Sequence, residues 1–368
     1  MFGSVKQHVD AYLREQALPA VAGDRVVTFD VTNRLIDGTC YLFFGEGGEV
    51  PLLVAKAART AAGRAVFEIE HQTLATLAAR GMNDERARVP SALGCWRDGE
   101  ILITLQSALG GTLMKNVPGA ELFSPQAIDR SVAMVLDWWL TLQQKVGTRE
   151  LQLTGEAFER HVLRPARLFR RRYLLDTDEH EFLERWCASN ALHGARLPLM
   201  VDHGDFCAAN MVLAGGEVAV FDWEFPLDHQ LPFFDLFFFF SSVRFPYGGR
   251  QGESSHFDSF KQVFWEESYF RLALTSTLAD LCGRFAIERR LLGDLLVLST
   301  LRIANMKYEG LLTSHGLSDL EGETIGEAQK EERWRAFDGP DKDAPFARLQ
   351  DGVFHNFRQL VRRGVPEF

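Results

Sequence analysis

The sequence predicts an α+β protein with two lobes, a small and mainly β N-terminal lobe with one important helix and a larger, mainly α C-terminal lobe. Two observations support this fold class. Residues 26–105 contain β-type runs separated by turn residues, with one helical pattern over residues 62–80. After Gly110 and Gly111 the pattern changes, and residues 125–190 show long helical periodicities. We therefore place the N-terminal lobe at residues 1–108 and the C-terminal lobe at residues 109–368.

Three β-type runs begin the N-terminal lobe, and a glycine-rich turn separates the last two. The runs are Val26–Val31, Thr39–Phe44 and Pro51–Lys56, with a further apolar run at Ile101–Leu105. The segment Gly45–Gly48 predicts a hairpin turn. A phosphate-binding loop is the alternative, but no helix follows the segment and the chain contains no Walker pattern.

Composition argues against several classes of partner. The 368-residue chain has a formal net charge of −10 at pH 7, so it would repel a nucleic-acid backbone on average. The most apolar stretch, Leu231–Val243, is too short to span a bilayer and contains Asp235, and Met1–Ala17 lacks the apolar centre of a signal peptide. Five scattered cysteines with no C-x-x-C spacing predict reduced thiols. We expect a soluble, cytoplasmic protein with no nucleic-acid or membrane partner, and its oligomeric state is open.

The densest basic stretch contains Arg164, Arg167 and Arg170–Arg172. Apolar residues alternate with these arginines in the pattern of an amphipathic helix. We interpret the stretch as the solvated face of a helix.

The stretch from His203 to Glu224 carries the residues best suited to chemistry. It reads HGDFCAAN, MVL, a Gly-Gly turn, VAVF and DWE. Two short strands joined by that turn would place Asn210 and Asp222 at the open end of a hairpin, within reach of Asp205. Phosphoryl transfer requires a carboxylate that accepts the proton of the attacking hydroxyl, together with oxygen ligands for Mg²⁺. The spacing from Asp205 to Asn210 is that of a kinase catalytic loop.

This block resembles the aminoglycoside phosphotransferase and choline kinase superfamily, whose members are small-molecule relatives of protein kinases. The resemblance implies a two-lobed, protein-kinase-like fold and phosphoryl transfer from ATP with Mg²⁺. By position it implies that Asp205 is the catalytic base and that Asn210 and Asp222 bind Mg²⁺. His203, which we count with Asp205 as a catalytic residue, resembles the family's loop-fixing histidine. Asp235 resembles the aspartate that braces this loop.

The N-terminal lobe supplies matching partners for a nucleotide. Lys56 closes an apolar strand and fits the lysine that binds the α- and β-phosphates. Glu70 falls on the apolar stripe of the predicted helix, where an acid needs a cation, and Lys56 is the obvious one. The resemblance implies that Gln106–Leu109 is the hinge that meets the adenine, with Gln106 and Ala108 among its contacts. Thr32–Gly38 is placed to cover the nucleotide, although Gly38 is its only glycine.

Several alternatives remain open for these residues. Asp205, Asn210 and Asp222 could each be simple turn formers. His203 with its neighbouring aspartates could belong to a two-metal hydrolase, with His193 and His229 as further ligands. Cys207, within the loop, could be a reactive thiol rather than a packing residue. For the whole chain, the alternative to an enzyme is a non-catalytic pseudokinase that binds nucleotide and acts as a scaffold.

The acceptor of the phosphoryl group is the least determined part. In this architecture the acceptor site is built from helices of the C-terminal lobe, here about residues 125–190 and 225–330. Acidic and aromatic residues in and beside those segments favour slightly a cationic or sugar-like acceptor, such as an aminoglycoside, an amino alcohol or a sugar. They are Glu224, Asp228, Trp265, Glu266 and Glu267.

Overall fold

The protein consists of two compact units. The computed structural model describes residues 1–16, 25–33, 36–83, 88–116, 125–225, 229–242, 256–314, 326–338 and 346–368. Unit 1 comprises Met1–Gly147 and His203–Asp228, and unit 2 comprises Thr148–Asp202 and His229–Phe368. The units therefore do not coincide with the two predicted segments, because residues 203–228 belong to the same unit as the N-terminal sheet. A functional division at residue 108 stays a prediction.

Unit 1 begins with a helix and a five-stranded antiparallel sheet of strand order β1-β2-β3-β5-β4. The predicted β-type runs all lie within these strands. The turn after Phe44 joins β2 to β3 as the predicted hairpin, with Gly47 at φ +69°. Of the predicted covering segment Thr32–Gly38, residues 34–35 lie outside the described residues. The elements are α1 (Phe2–Glu15), β1 (Val26–Asn33), β2 (Ile36–Phe44), β3 (Pro51–Ala58), β4 (Ala92–Asp98) and β5 (Ile101–Ser107).

The two faces of β3 determine which of its side chains meets which helix. Leu53, Ala55 and Ala57 point to one face and join a core cluster with residues of α1. Helix α2 (Ala61–Ala79) contacts the sheet as well, and its Phe67 packs with Ala58 on the other face. Lys56 shares the face of Ala58 because strand residues alternate. The alternation of β3 therefore directs Lys56 toward α2.

The rest of unit 1 holds a second, three-stranded sheet of order β10-β9-β6. Gly111 precedes β6 at φ +135°, where a Cβ atom would lie 2.4 Å from the carbonyl oxygen of Leu213. Only glycine allows this approach, which brings β6 against β9. The elements are β6 (Thr112–Leu113), a 3₁₀ turn (Met114–Asn116), α3 (Pro125–Val146), a 3₁₀ turn (Ala208–Asn210), β9 (Met211–Ala214) and β10 (Glu217–Val220).

Unit 2 is mainly helical, with a small sheet of order β11-β8-β7. Its central helix, Leu292–Ser314, packs against three others. They are Arg164–Arg172, Phe234–Ser242 and Phe346–Arg363. The strands are β7 (Arg149–Gln152), β8 (Arg196–Val201) and β11 (His229–Gln230). The helices are α4 (Gly155–Phe158), a π-helical turn (Glu159–Leu163), α5 (Arg164–Arg172), α6 (Thr177–Ala188), α7 (Phe234–Ser242), α8 (His256–Phe264), α9 (Tyr269–Phe285), a 3₁₀ turn (Arg289–Leu291), α10 (Leu292–Ser314), α11 (Glu327–Asp338) and α12 (Phe346–Arg363).

The α+β class is confirmed, and one surface prediction needs correction. Arg164, Arg167 and Arg170 are exposed as expected, but Arg172 is only 2% exposed. Its guanidinium donates to the carbonyl oxygen of Asn305 and forms an ion pair with Glu309, and both of these residues lie on α10. These partners explain why its charge can be buried. Among the described helices, none combines the length and the apolarity that a bilayer span requires.

Candidate active site

Lys56 bridges two carboxylates in the interior of unit 1. Its ammonium nitrogen lies 2.9 Å from Oε1 of Glu70 and 2.7 Å from Oδ1 of Asp222. Lys56 is 6% exposed and Glu70 is 1% exposed. Burial by itself lowers the pKa of Lys56, but the charges of Glu70, Asp222 and Glu224 outweigh it and raise this pKa above its usual value. Lys56 is therefore a cation fixed in place, as a phosphate-binding lysine must be.

The predicted catalytic loop, residues 203–210, holds Asp205 by one side of its carboxylate. Asn210 donates from Nδ2 to the Asp205 carbonyl oxygen at 3.0 Å and to Oδ2 at 2.8 Å. Asn210 is buried in the 3₁₀ turn before β9, whereas Asp205 is half-buried. Among the described residues, the hydrogen bond from Asn210 engages Oδ2 and not Oδ1. The loop thus presents a half-exposed carboxylate whose orientation is fixed.

His203 determines the course of this loop from within the core. It is 0% exposed; its Nε2 lies 2.9 Å from the Phe221 carbonyl oxygen, and its Nδ1 accepts from the Asp205 amide at 3.2 Å. One nitrogen faces an acceptor and the other faces a donor, so the pair selects the neutral tautomer with hydrogen on Nε2. Burial lowers the pKa of His203 despite the nearby Asp205, which favours the same neutral form. The fully buried ring of His203 thus contacts the backbone on both sides of the hairpin that follows it.

Gly204 is the residue of the HGD motif for which the backbone requires glycine. Its φ is +89°, and a Cβ atom there would lie 2.9 Å from the ring of Phe225. Residues that have a Cβ atom rarely adopt this backbone conformation. The tight turn that it permits carries the chain from His203 to Asp205 within one residue.

Asp222 follows β10 in a left-handed conformation with φ +70°. Such backbone strain in a non-glycine residue is tolerated best by Asp and Asn and is concentrated at functional sites. The Phe221 amide donates to the Asn210 carbonyl at 3.1 Å, which extends the β9–β10 pairing and brings Asn210 and Asp222 to the same end of the hairpin. The residues present fit a magnesium ion, because both side chains offer oxygen donors of the kind Mg²⁺ prefers.

A fourth acid, Glu224, lies beside Glu70, Asp205 and Asp222. Burial, followed by the charge of Asp222, raises the pKa of Glu224 from 4.5 to about 8. Sequence analysis placed Glu224 only among acids near an acceptor site. Its position two residues after Asp222 was the available signal, but its burial depends on the fold. Perturbed carboxyl groups of this kind are concentrated at functional sites.

Two alternatives find little support in the geometry. Burial raises the pKa of Cys207 to about 11, which favours the protonated thiol over the nucleophilic thiolate at neutral pH. Within the described part of the chain, no three His, Cys, Asp or Glu side chains form a group that could hold a metal ion. The described residues therefore offer no ligand group of the kind that a two-metal hydrolase centred on His203 would need.

The predicted hinge lies at the end of β5. Gln106 pairs with Val54 in the sheet and is 8% exposed. The Ala108 amide donates to the Leu52 carbonyl at 3.0 Å. Since that N–H is already used, Ala108 could meet an adenine only through its carbonyl group. An adenine-binding role for Gln106 and Ala108 stays a prediction, as does the bracing role of Asp235, which is fully buried in the first turn of α7.

The contacts bring the predicted residues together in two groups. Lys56, Glu70 and Asp222 form one, and His203, Asp205 and Asn210 form the other. Phe221 links the groups, because it directly precedes Asp222 in the chain and its backbone bonds to His203 and Asn210.

Comparison with known proteins identifies the family. The sequence model of the phosphotransferase enzyme family, APH, matches residues 43–258, more than half of the chain. The chain belongs to this family. The matched range includes Lys56, Glu70 and the whole catalytic loop, so the superfamily resemblance is confirmed. Members of the APH family have the protein-kinase-like fold, and the α+β architecture described above is of that class. Family membership supports a small-molecule phosphotransferase that binds a nucleotide.

Three solved structures are similar to this APH-family chain. Aminoglycoside phosphotransferase APH(3'')-Id from Streptomyces rimosus is 17% identical over 73% of this chain and 96% of its own, with a TM-score of 0.40. The type VIII aminoglycoside-3'-phosphotransferase is 19% identical over 73% and 97%, with a TM-score of 0.39. Spectinomycin phosphotransferase APH(9)-Ia, in complex with ADP and spectinomycin, is 11% identical over 95% and 98%, with a TM-score of 0.40. At these values the likeness carries no argument about substrate. A search of curated proteins found no match.

Proposed function

We propose that the protein transfers the γ-phosphoryl group of ATP, in the presence of Mg²⁺, to a hydroxyl group of a small molecule such as an aminoglycoside, an amino alcohol or a sugar. The observation that carries the proposal is the contact of Lys56 with both Glu70 and Asp222 in the unit that also holds Asp205 and Asn210. A phosphate-binding cation, a metal-binding acid and a fixed base are the components of kinase chemistry.

Asp205 acts on the acceptor hydroxyl. Its Oδ2 is held by Asn210, so Oδ1 would orient the hydroxyl and take up its proton. The new O–P bond forms as the bond from the γ-phosphorus to the β,γ-bridging oxygen breaks, and ADP leaves. His203, with its two backbone bonds, keeps the Asp205 amide and the Phe221 carbonyl in place during this step.

Lys56 acts on the phosphates of the nucleotide. Its ammonium keeps Glu70 as a buried anchor while it exchanges Asp222 for phosphate oxygens. Asn210 and Asp222 would hold Mg²⁺, which supplies charge neutralisation for the transferred phosphoryl group when it is bound. Positioning and electrostatic stabilisation account for most of the rate in this reaction class.

The test is ADP release from Mg·ATP in the presence of a panel of aminoglycosides, amino alcohols, sugars and nucleosides. We expect one acceptor class to give phosphorylated product. Asp205→Asn should bind ATP with unchanged affinity in calorimetry and lose about 10²- to 10⁴-fold in kcat, the usual contribution of a general base.

Asp137→Asn is the matched control, because Asp137 is an exposed acid of the same unit on α3. It should keep wild-type turnover. Full turnover by Asp205→Asn would overturn the assignment of the base. Tight ATP binding with no Asp205-dependent product from any acceptor would favour the non-catalytic scaffold instead.

A further inference from the structure

A basic cleft lies within unit 2, built entirely from residues of that unit. Its volume is about 140 Å³, and three segments form its walls. They are the helical run through the π-helical turn into α5, the chain from β11 into α7, and the N-terminal half of α10. The deeper wall residues Leu231, Phe234 and Leu295 are buried, whereas Arg160 and Arg164 are exposed. The cleft therefore has an apolar floor and a charged opening.

The charge of this cleft is opposite to that of the whole protein. Arg160, Arg164 and Arg302 line it together with His161, and none of the described lining residues is acidic. The chain as a whole has a formal net charge of −10. Three arginines that line one cleft are a local concentration of basic side chains on an acidic protein, and such a lining suits an anionic group.

Arg302 is held in position before any ligand arrives. One guanidinium nitrogen lies 2.8 Å from Oδ2 of Asp202, and the guanidinium lies 3.8 Å from the ring centroid of Phe234. Asp202 is 5% exposed, so this ion pair is screened little by solvent. The pairing with Asp202 uses only part of a guanidinium that has five N–H donors. A planar donor group that is fixed in this way suits the oxygens of a phosphate or a carboxylate.

The π-helical turn places the other two arginines on one side of their helix. Arg160 lies within the turn and Arg164 begins α5, four residues later, so the two side chains share a face. Pro165 follows Arg164 directly. Its nitrogen has no hydrogen to donate to a helical hydrogen bond, and its ring crowds the preceding turn. These two effects account for the wider, π-helical winding of the backbone before it. Such π-helical turns inside α-helices occur frequently at functional sites.

We propose that this cleft is a binding site for the anionic group, a phosphate or a carboxylate, of a small-molecule ligand. The apolar floor receives the body of the ligand, and the three guanidiniums with His161 receive its charge. The proposal concerns unit 2 alone and does not depend on the proposed phosphoryl transfer. It differs from the sequence-based preference for an acidic site that accepts a cation.

Phenyl phosphate and benzoate are suitable probes, because each joins an apolar ring to one anionic group. Titration into ¹⁵N-arginine-labelled protein should shift the side-chain signals of Arg160, Arg164 and Arg302, assigned through single Arg→Gln variants. Calorimetry should show at least tenfold weaker binding by the Arg160→Gln/Arg164→Gln double variant and a loss of affinity as salt is raised. The tighter of the two probes then distinguishes a phosphate from a carboxylate ligand.

Arg185→Gln is the matched control. Arg185 is an exposed arginine of unit 2 on α6, outside the cleft, where it pairs with Glu181. This variant should bind both probes like the wild type. Equal binding by the double variant and the wild type would overturn the proposal, as would arginine signals that do not move. Benzyl alcohol or benzylamine binding as tightly as the anions would also refute it.

Discussion

Replacement of Lys56 by methionine tests whether the buried lysine is a structural and a catalytic residue at once. The variant removes the cation but keeps an apolar side chain of similar length. Glu70, whose side chain is 2% exposed, then loses the ammonium that lies 2.8 Å from its Oε2, and Asp222 loses its contact at 2.7 Å. Removal of one partner of a buried ion pair leaves an uncompensated charge, which is strongly destabilising.

The magnitude follows from these distances. A contact at 2.8 Å corresponds to ~6 kcal/mol of Coulomb attraction at an effective dielectric constant of ~20, which is an upper limit. Broken buried pairs cost about 3–5 kcal/mol in practice, and we expect Lys56→Met to lose that much free energy of unfolding. The double variant Lys56→Met/Glu70→Gln removes the stranded charge and should recover at least half of the loss, while both variants stay inactive.

Urea unfolding at pH 7 measures the stability, and ADP release measures the activity. Lys6→Met is the control, since Lys6 pairs with Asp10 at the surface with 34% of its side chain exposed. It should lose less than about 1 kcal/mol. A loss below 1 kcal/mol in Lys56→Met, or a double variant no more stable than the single one, would contradict this account of the buried pair.

Two further predictions concern the surroundings of the candidate site. Because the pKa of Glu224 is raised to about 8, its contribution to folding is present below pH 4.5 and lost as pH rises toward 8. In metal-free protein, the free energy of unfolding of the wild type should fall relative to Glu224→Gln by up to ~1.4 kcal/mol per pH unit in that window; parallel pH curves would contradict it. Gly204→Ala should cost about 1–3 kcal/mol, since it combines a left-handed backbone with a contact at 2.9 Å to Phe225. Gly216→Ala, with φ +82° and nothing within 4 Å, isolates the backbone term and should cost less in the same urea assay.

Local pattern was sufficient for the elements that have one clearly buried face. Strands β2 and β3 and helices α2 and α3 were predicted because alternation or helical periodicity marks their buried sides. Strand β4 was not, because this edge strand is largely half-exposed and ends in Arg97 and Asp98. The burial of Arg172 was missed for a different reason. Its partners lie more than 130 residues away in the chain, so no local signal indicates them.

The candidate site was predictable in its chemistry more than in its details. Spacing alone indicated Asp205, Asn210 and Asp222, and an acid on an apolar stripe indicated the pairing of Glu70 with Lys56. The tautomer of His203, the raised pKa of Glu224 and the engaged amide of Ala108 all depend on backbone groups brought together by the fold. The amino-acid type at a position does not indicate which backbone groups the fold will bring next to it.

The pairing of β6 with β9 has a consequence for the order of assembly during synthesis. Thr112 and Leu213, which face each other, are about a hundred residues apart, and much of the intervening chain belongs to unit 2. During translation the N-terminal sheet emerges from the ribosome first, and the strand pair that carries Asn210 and Asp222 emerges after residues 148–202. Closing so long a loop is entropically costly and slow compared with local hairpins. A nascent chain therefore lacks the candidate site until well over half of it has been made, however stable its first sheet is.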